Sequence, residues 1–195
     1  LGLYLLTGRR YSEISVTARY LNIGMHCDLQ SGLTLDNIFN CLFEGQLKTD
    51  KKGKVVKADK YGLYKENSPY TIPLLAPIQD IQNAVNWLRE NYPCDNVADS
   101  KGYNYTDRIC PKIFWDTFKI KINPHKLRSA YSCICFEILK LRTLKISRSN
   151  YCDRILGHES KGSADNYLDF ELSPQDRENL IIYVKSLYKD FGINL

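Results

Sequence analysis

The sequence lacks a long hydrophobic segment. No stretch approaches the roughly 18 uninterrupted apolar residues that a membrane-spanning helix needs. Residues 1–10 also lack the basic-then-apolar order of a secretory signal peptide. The 195 residues are 44% hydrophobic and 25% charged, which excludes a disordered chain, a collagen and a coiled coil. We therefore expect one folded domain, alone or with a small appendage, in the cytoplasm.

The seven cysteines lack the spacing of a metal or redox site. They are odd in number and include no Cys-x-x-Cys pair, which disfavours a disulfide framework or a zinc site. Cys133 and Cys135 lie in the apolar run YSCICFEIL and are expected to be buried free thiols. The sequence also lacks an Asp/Glu/His cluster at metal-ligand spacing, a P-loop and a GxGxxG motif. We expect neither a metal nor a cofactor.

Positive charge is concentrated in two blocks, although the whole chain carries only +5. The first block, KTDKKGKVVKADKYGLYK over residues 48–65, has seven Lys and two Asp and is predicted to be a solvated hairpin or loop. The second, residues 108–154, has eleven Lys and Arg against three Asp and Glu, within sequence typical of helices. Such blocks suit a polyanion such as nucleic acid, and the alternative is that they only solvate helix faces.

The first half of the chain is predicted to contain one helix and several strands. A helix is expected over roughly Ser12–Leu21, followed by a short strand near Ile23–Cys27. Further strands are predicted at about Asn40–Leu47 and Tyr70–Leu74, on either side of the first basic block. These strands are close enough in sequence to form a small antiparallel sheet.

The second half is predicted to be helical. The segment IQDIQNAVNWLREN, between Pro77 and Pro93, has apolar residues at helical spacing, and residues 95–106 are polar and typical of a loop. Further helices are expected at Arg108–Ile122, Pro124–Arg142, Ser147–Leu156 and Ser163–Leu168, and from Ser173 onward. The sequence thus predicts a mainly helical α+β domain with a small antiparallel sheet near its N-terminus.

Four separated segments share a set of residues suited to phosphate chemistry. Among their residues are two histidines, two arginines, a lysine and a tyrosine in a fixed order. Each has an ordinary structural explanation when taken singly, such as helix capping or a solvated surface. The segments are TGRRYSEI at Thr7–Ile14, FEGQLKT at Phe43–Thr49, HKLR at His125–Arg128, and ILGH at Ile155–His158 with Tyr167 nine residues later.

The order TGxRxSE, QxKT, HxxR and LGH-x8-Y resembles the signature of the tyrosine recombinases, which break and rejoin DNA. Four matching motifs in sequence, from Thr7 to Tyr167, are far more specific than any single one. Within that superfamily the segments LTGRR, FEGQLKT and LRSAY are most similar to the telomere resolvases, also called protelomerases. His125 departs from this finer resemblance, because a histidine there is the common choice of phage integrases and Xer-type recombinases.

The resemblance implies an active site that draws on all four segments. Arg10 and Arg128 would clamp the phosphate, because a planar guanidinium can bind two oxygens of a pentacoordinate phosphorus at once. Tyr167 would be the nucleophile, and its covalent link to the 3′ phosphate would conserve the bond energy, so that rejoining needs no ATP. No metal is required for this chemistry.

Three further residues complete the implied site. Lys48 would protonate the leaving 5′ oxygen from its strand turn, and His125 would be the acid/base partner of the tyrosine phenol. His158 would donate a hydrogen bond to a phosphoryl oxygen. Glu13, one helical turn beyond Arg10, is expected to orient an arginine or cap the helix rather than to react.

The implied partner is double-stranded DNA, expected as an inverted-repeat site bound by a homodimer or tetramer, with no role for a membrane. Phosphate contacts would position the DNA without reading its sequence. The residues expected to make them are Lys51, Lys52, Lys54, Lys126, Arg142, Lys145 and Arg148.

The predicted domain of DNA breaking and rejoining spans residues 1–172, and we expect it to be preceded by a DNA-clamping domain absent from this sequence. Residues 173–195 are expected to form a C-terminal helix that packs on its own domain or on a neighbouring protomer. Three functions stay open beside telomere resolution, namely a site-specific integrase, a non-catalytic DNA-binding relative, and a helical interaction domain. The complete set of six catalytic residues favours an active enzyme.

Overall fold

The computed structural model describes residues 2–23, 39–46, 48–49, 55–56, 70–94, 110–119, 121, 124–141, 146–157 and 170–190. The fold is mainly helical with a small antiparallel sheet, as the sequence predicts. The helices are α1 Gly2–Thr7, a π-helical turn Glu13–Thr17, α2 Ile78–Asn91, α3 Cys110–Phe118, α4 Pro124–Lys140, α5 Arg148–Leu156 and α6 Pro174–Asp190. The strands are β1 Arg19–Asn22, β2 Asn40–Glu44, β3 Lys48–Thr49, β4 Val55–Val56 and β5 Tyr70–Pro73.

Strand β2 lies at the centre of a three-stranded antiparallel sheet, between β1 and β5. Side chains alternate across β2, so that Cys41 and Phe43 are fully buried while their neighbours are less so. Phe43 pairs with Tyr20 of β1 and with Tyr70 of β5. The three rings pack with centroids 5.6 and 5.7 Å apart, and together they form an aromatic row across the sheet.

The first basic block begins with a second, two-stranded sheet. Lys48 of β3 pairs with Val56 of β4 in an antiparallel register. This antiparallel pairing agrees with a hairpin, one of the two structures predicted for the block. Residues 50–54 and 57–65 of the block lie outside the described residues.

The helix predicted over Ser12–Leu21 is wrong in its second half. Helical structure ends at the π-helical turn, where the N–H of Ala18 donates to the carbonyl oxygen of Glu13 at 2.6 Å. Ala18 is extended, and the chain continues directly into β1, which ends at Asn22. Of the strand predicted at Ile23–Cys27, Ile23 is not in a strand and residues 24–27 lie outside the described residues. Helical and strand periodicity are hard to separate over so few apolar residues, and pairing with β2 decides the outcome.

The other predicted boundaries agree with the structure within a few residues. Helix α2 is the predicted segment, and α4 begins at the predicted Pro124. Ser147 caps α5, since its hydroxyl accepts from the N–H of Asn150 at 3.3 Å. The predicted strand at Asn40–Leu47 ends earlier, at Glu44, and α3 is shorter than predicted. The predicted helix at residues 163–168 lies outside the described residues.

The main core joins α1, the π-helical turn, the sheet, α2 and the start of α4. Its buried members include Ile14, Ile72, Ile81 and Leu127. Arg89 of α2 fixes the π-helical turn, because its guanidinium donates to the carbonyl oxygens of Ile14 at 3.1 Å and Ala18 at 2.8 Å. The short helical segment after Arg10 is therefore held by packing rather than by its own length.

Helix α6 lies against α4 in this chain. Val184 is buried beside Phe39 and Ile138. The guanidinium of Arg177 forms an ion pair with the carboxylate of Glu137 at 3.2 Å, and Lys140 contacts the same carboxylate at 2.8 Å. The division of the chain at residue 172 stays a prediction.

Two predictions from composition can be compared with the described residues. Cys133 and Cys135 are buried free thiols, as predicted. None of the helices in the described part of the chain is long and apolar enough to cross a membrane.

Candidate active site

The first motif is a tight turn that directly follows α1. Gly8 has a φ of +64°, and a Cβ atom there would lie 2.2 Å from the ring of Tyr131 on α4. Only glycine allows both the backbone conformation and this close approach. Thr7 closes the turn, because its hydroxyl accepts from the N–H of Arg9 at 3.3 Å. The turn therefore fixes the backbone positions of the two consecutive arginines that follow it.

A single carboxylate joins the two predicted phosphate-clamping arginines. Glu13 Oε1 accepts from Arg10 Nη1 at 3.1 Å, and Glu13 Oε2 accepts from the backbone N–H of Arg10 at 2.9 Å. Arg128 Nη1 lies 3.9 Å from Glu13 Oε2. Two guanidinium groups 118 positions apart in the sequence are thus brought to the two oxygens of one side chain.

The Glu13 carboxylate is charged despite its burial. Burial alone would raise the pKa of Glu13, but the fields of Arg10, Arg9 and Arg128, with the N–H of Arg10, lower the pKa below its ordinary value. One negative charge therefore faces three guanidinium groups. This excess of positive charge makes the region attractive to an anion.

Arg10 and Arg128 differ in their access to solvent. The side chain of Arg10 is 36% exposed, whereas that of Arg128 is 1% exposed. Arg128 Nη2 donates to the carbonyl oxygen of Leu156 at 3.3 Å, which ties α4 to the end of α5. Arg10 can therefore meet an anion from solvent, whereas the buried Arg128 adds its positive charge from behind the carboxylate.

Arg9 is a buried residue that the sequence motifs did not single out. It is fully buried, and its guanidinium carbon lies 4.7 Å from the centroid of the Phe43 ring. Its Nε donates to Thr7 O at 3.2 Å, Nη1 donates to the Tyr70 hydroxyl at 2.5 Å, and Nη2 donates to Ile155 O. Nothing in the sequence distinguishes this arginine from a surface residue next to Arg10.

The second and fourth motifs meet through Gln46. Its side-chain amide donates to the carbonyl oxygen of Gly157, and its amide oxygen accepts from the Tyr70 hydroxyl. Lys48 follows Gln46 by two residues, and His158 directly follows Gly157 in the sequence. The structure therefore brings together the segments that carry these two candidate catalytic residues.

The remaining predicted site residues are distributed over three elements. The backbones of Lys48 and His125 lie in β3 and in the first turn of α4. Lys126 is exposed on α4. Arg148 donates to the carbonyl oxygen of Phe170 and lies 3.8 Å from the carboxylate of Glu171, so it holds the chain that follows the Tyr167 region. Its role as a DNA contact stays a prediction.

Several predictions fall outside the part of the chain that the structure describes. These are His158 and Tyr167 of the predicted catalytic set, and Lys51, Lys52, Lys54, Arg142 and Lys145 of the predicted DNA contacts. Among the described residues, no group of three His, Cys, Asp or Glu side chains could hold a metal ion.

Comparison with known proteins places this arrangement in a family. The sequence matches the family model of the telomere resolvase ResT/TelK catalytic domain over residues 1–170. No curated protein sequence matches the chain. Among solved structures, the chain is similar to a variant of protelomerase TelA covalently complexed with substrate DNA, with a TM-score of 0.61 and 21% identity. It is also similar to protelomerase TelK complexed with substrate DNA, with a TM-score of 0.56 and 18% identity.

The similarity covers unequal shares of the compared proteins. It includes 93% of this chain and 54% of the TelA chain, and 88% of this chain and 31% of the TelK chain. The chain thus spans about half or less of the length of the solved relatives. At these identities the structural similarity shows the fold.

Proposed function

Since the chain belongs to the family of the telomere resolvase ResT/TelK catalytic domain, we propose that it cleaves and rejoins DNA strands through a 3′-phosphotyrosine intermediate and without a metal ion. The solved relatives are complexed with substrate DNA, in the TelA structures covalently. Double-stranded DNA is accordingly the proposed partner, as an inverted-repeat site bound by a homodimer or tetramer. The cytoplasm is the proposed place of action.

The observation that carries the proposal is the pair of guanidinium groups at Glu13. Arg10 and Arg128 come from separate motifs and converge on one buried carboxylate. A phosphodiester under attack gains charge on its two non-bridging oxygens, and preorganised arginines stabilise that charge with little reorganisation. One carboxylate cannot neutralise both guanidinium groups, so the pair keeps a net positive charge.

The proposed reaction needs one nucleophile and one proton donor at the scissile phosphate. The Tyr167 oxygen attacks phosphorus and forms the P–O bond, while the bond from phosphorus to the 5′ oxygen breaks. Lys48 gives its proton to that leaving oxygen, and His125 accepts the proton of the phenol. His158 donates a hydrogen bond to the transferring phosphoryl group. Reversal with a second 5′ hydroxyl reseals the strand.

Telomere resolution is the outcome we propose, and site-specific integration is the alternative. In resolution, each freed 5′ end folds back onto the opposite strand of the same duplex and gives a closed hairpin. In integration, strands from two duplexes are exchanged. The family match favours the first outcome, while His125 is the residue typical of integrases.

The decisive experiment is capture of a covalent adduct by the chain and by Tyr167→Phe. The probe is a pool of nicked duplexes with randomised inverted repeats, incubated in excess EDTA and resolved on a denaturing gel. We expect an adduct with the wild-type chain and none with Tyr167→Phe, because only the nucleophilic oxygen is lost. Binding of the pool should be nearly equal for the two proteins.

The same gel separates the competing functions. Adduct formation by Tyr167→Phe would overturn the assignment of the nucleophile. Adduct that forms only when magnesium replaces the EDTA would indicate a different phosphoryl-transfer enzyme. DNA binding by the wild-type chain with no adduct would favour a non-catalytic relative. Closed hairpins from one duplex would support resolution, whereas joined strands from two duplexes would favour an integrase.

A further inference from the structure

Arg9 lies at one end of a chain of polar contacts that the proposed chemistry does not use. All three of its guanidinium nitrogens donate to acceptors within the fold, and the face of the group lies over Phe43. The acceptors belong to the first motif, to strand β5 and to the end of α5. Such a planar fork can serve three acceptors in one plane, which a lysine ammonium cannot do.

Tyr70 continues the chain of contacts from Arg9 to Gln46. Its hydroxyl accepts from Arg9 Nη1 and donates to the amide oxygen of Gln46. Burial raises the pKa of Tyr70 against the opposing field of Arg9, so the hydroxyl keeps the proton that it donates. Tyr70 therefore has a defined direction, as acceptor on one side and donor on the other.

The chain of contacts ends at the backbone of Gly157. Gln46 donates to its carbonyl oxygen, and Gly157 is the left-handed residue that ends α5, with a φ of +68°. A Cβ atom there would lie 1.9 Å from Gln46 Oε1, so the contact requires glycine. The contact between Gln46 and Gly157 is thus a close junction between the second and fourth motifs.

The position of Gln46 matters because Lys48 comes two residues later in the sequence. The Cα atoms of the two residues are at most about 7 Å apart, since two residues of extended chain span no more than that. The lysine is the only member of the first basic block that the proposed reaction uses. Fixing Gln46 therefore restricts where strand β3, which carries Lys48, begins.

We propose that Arg9, Tyr70 and Gln46 are positioning residues that hold the Lys48 hairpin at the distance from the phosphate at which the lysine can protonate the leaving 5′ oxygen. The inference rests on the proposed function. It assigns no contact with DNA to the three residues themselves. A misplacement of about 1 Å far from the reacting atoms can cost up to about 100-fold in rate.

The test uses Tyr70→Phe, which removes only the hydroxyl in the middle of the chain of contacts. Its substrate is a nicked duplex recovered from the adduct-forming pool, in two forms. One form has the natural 5′ oxygen at the scissile phosphate, and the other has sulfur in its place. The sulfur leaves as a thiolate, which needs no proton from Lys48, because a thiol is a far stronger acid than an alcohol.

We expect Tyr70→Phe to cleave the oxygen substrate about 10- to 100-fold more slowly than wild type at saturating DNA. On the sulfur substrate the two proteins should cleave within about threefold of each other, because the general-acid step is bypassed. A purely structural defect would slow both substrates equally. Equal slowing, or no slowing of the oxygen substrate, would overturn the inference.

Two further variants make the result specific. Tyr131→Phe is the matched control, since it also removes one hydroxyl from the core, one that donates to Pro73 O at 2.6 Å outside the chain of contacts. It should show the same rate ratio as wild type on the two substrates. Gln46→Met should reproduce the Tyr70→Phe pattern, and the double variant should be no slower than either single variant.

The outcomes also distinguish failure of this inference from failure of the proposed function, DNA cleavage and rejoining. A wild-type chain that forms no adduct with the pool of randomised duplexes overturns the proposed function and the inference together. A wild-type adduct with a Tyr70→Phe defect equal on both substrates overturns the inference alone. If Tyr70→Phe does not fold, Gln46→Met, at a partly exposed position, carries the same test.

Discussion

Arg9 and Arg10 are neighbours in the chain with opposite surroundings. Arg9 is fully buried and donates to neutral oxygens, whereas the Arg10 side chain is 36% exposed and pairs with the Glu13 carboxylate. All the nitrogens of the Arg9 guanidinium are engaged by the fold itself. Arg10 instead presents part of its side chain to solvent, where a ligand can reach it.

We therefore expect the two residues of this dipeptide to serve different purposes. A buried guanidinium with neutral partners stabilises the packing of several elements and contributes its charge from a distance. A partly exposed guanidinium, oriented by one carboxylate, can exchange solvent for a phosphate at little cost in structure. The loss of stability should accordingly be larger at Arg9, and the loss of rate should be larger at Arg10.

The largest expected effect comes from replacing each arginine by lysine. Arg10→Lys should lower the rate of adduct formation by about 10²–10³ with little change in the free energy of unfolding, because a transition-state donor loses its bidentate geometry. Arg9→Lys should lower the free energy of unfolding by about 2 kcal/mol, since buried acceptors lose their donors. Its rate should fall by only about tenfold.

Urea unfolding and single-turnover adduct formation, measured on the same preparations, check this prediction. Rates are compared at saturating DNA so that differences in affinity do not enter. Equal losses in the free energy of unfolding for Arg9→Lys and Arg10→Lys would contradict the expectation that only Arg9 is needed for stability. A rate for Arg10→Lys within about threefold of wild type would remove Arg10 from the phosphate site.

The next effect concerns the carboxylate that orients the exposed arginine. Glu13→Gln should lower the free energy of unfolding at pH 7 by about 3 kcal/mol, because buried guanidinium groups lose their counter-charge. This value is at the lower end for a buried pair, since Arg10 is partly solvated. Urea unfolding of Glu13→Gln and the wild-type chain at several pH values is the measurement.

The difference in the free energy of unfolding between the wild-type chain and Glu13→Gln should shrink as the pH falls. The pKa of Glu13 is lower in the folded chain than its ordinary value of 4.5. Its stabilising contribution is therefore complete above that ordinary value and is lost as the pH falls through the lower, folded value. The gap between wild type and Glu13→Gln should close in acid, and a gap independent of pH would contradict the assignment of charge.

Much of the fold and part of the site could be predicted from local patterns. Helix α2 follows from apolar spacing between two prolines, and the ordered motifs indicate that Arg10 and Arg128 share a site. Capping residues such as Ser147 indicate where helices begin. The helix and its caps depend on residues close in sequence, whereas the shared site of Arg10 and Arg128 follows from the resemblance that the ordered motifs carry.

Other features depend on long-range packing and have no local signal. The segment after Arg10 has helical spacing, yet its second half pairs with β2 and becomes a strand. Arg9 is distant in sequence from Tyr70 and Ile155. Only the folded core buries Arg9 and brings it within hydrogen-bond distance of both residues. Gln46 likewise differs from any surface glutamine only through its contacts in the folded chain, such as the one to Gly157.

The contrast between buried and exposed cations recurs on α4, and there the expected effect is smallest. Arg128 is buried and tied to Leu156 O, whereas Lys126, two residues earlier, is exposed. Because residues two apart on a helix do not share a face, Lys126 can meet a phosphate without entering the Glu13 cluster. Lys126→Gln should leave the free energy of unfolding nearly unchanged.

The effect of Lys126→Gln should be seen in the salt dependence of DNA binding. Each phosphate neutralised by a lysine contributes about 0.9 to the slope of log affinity against log salt, through release of condensed counterions. Lys126→Gln should therefore make that slope shallower by about 0.9, equally for any duplex, because phosphate contacts carry no sequence information. Fluorescence anisotropy of a labelled duplex over a range of salt concentrations measures it. An unchanged slope would mean that this exposed lysine only solvates its helix, and that exposure next to a buried arginine is not enough to mark a DNA contact.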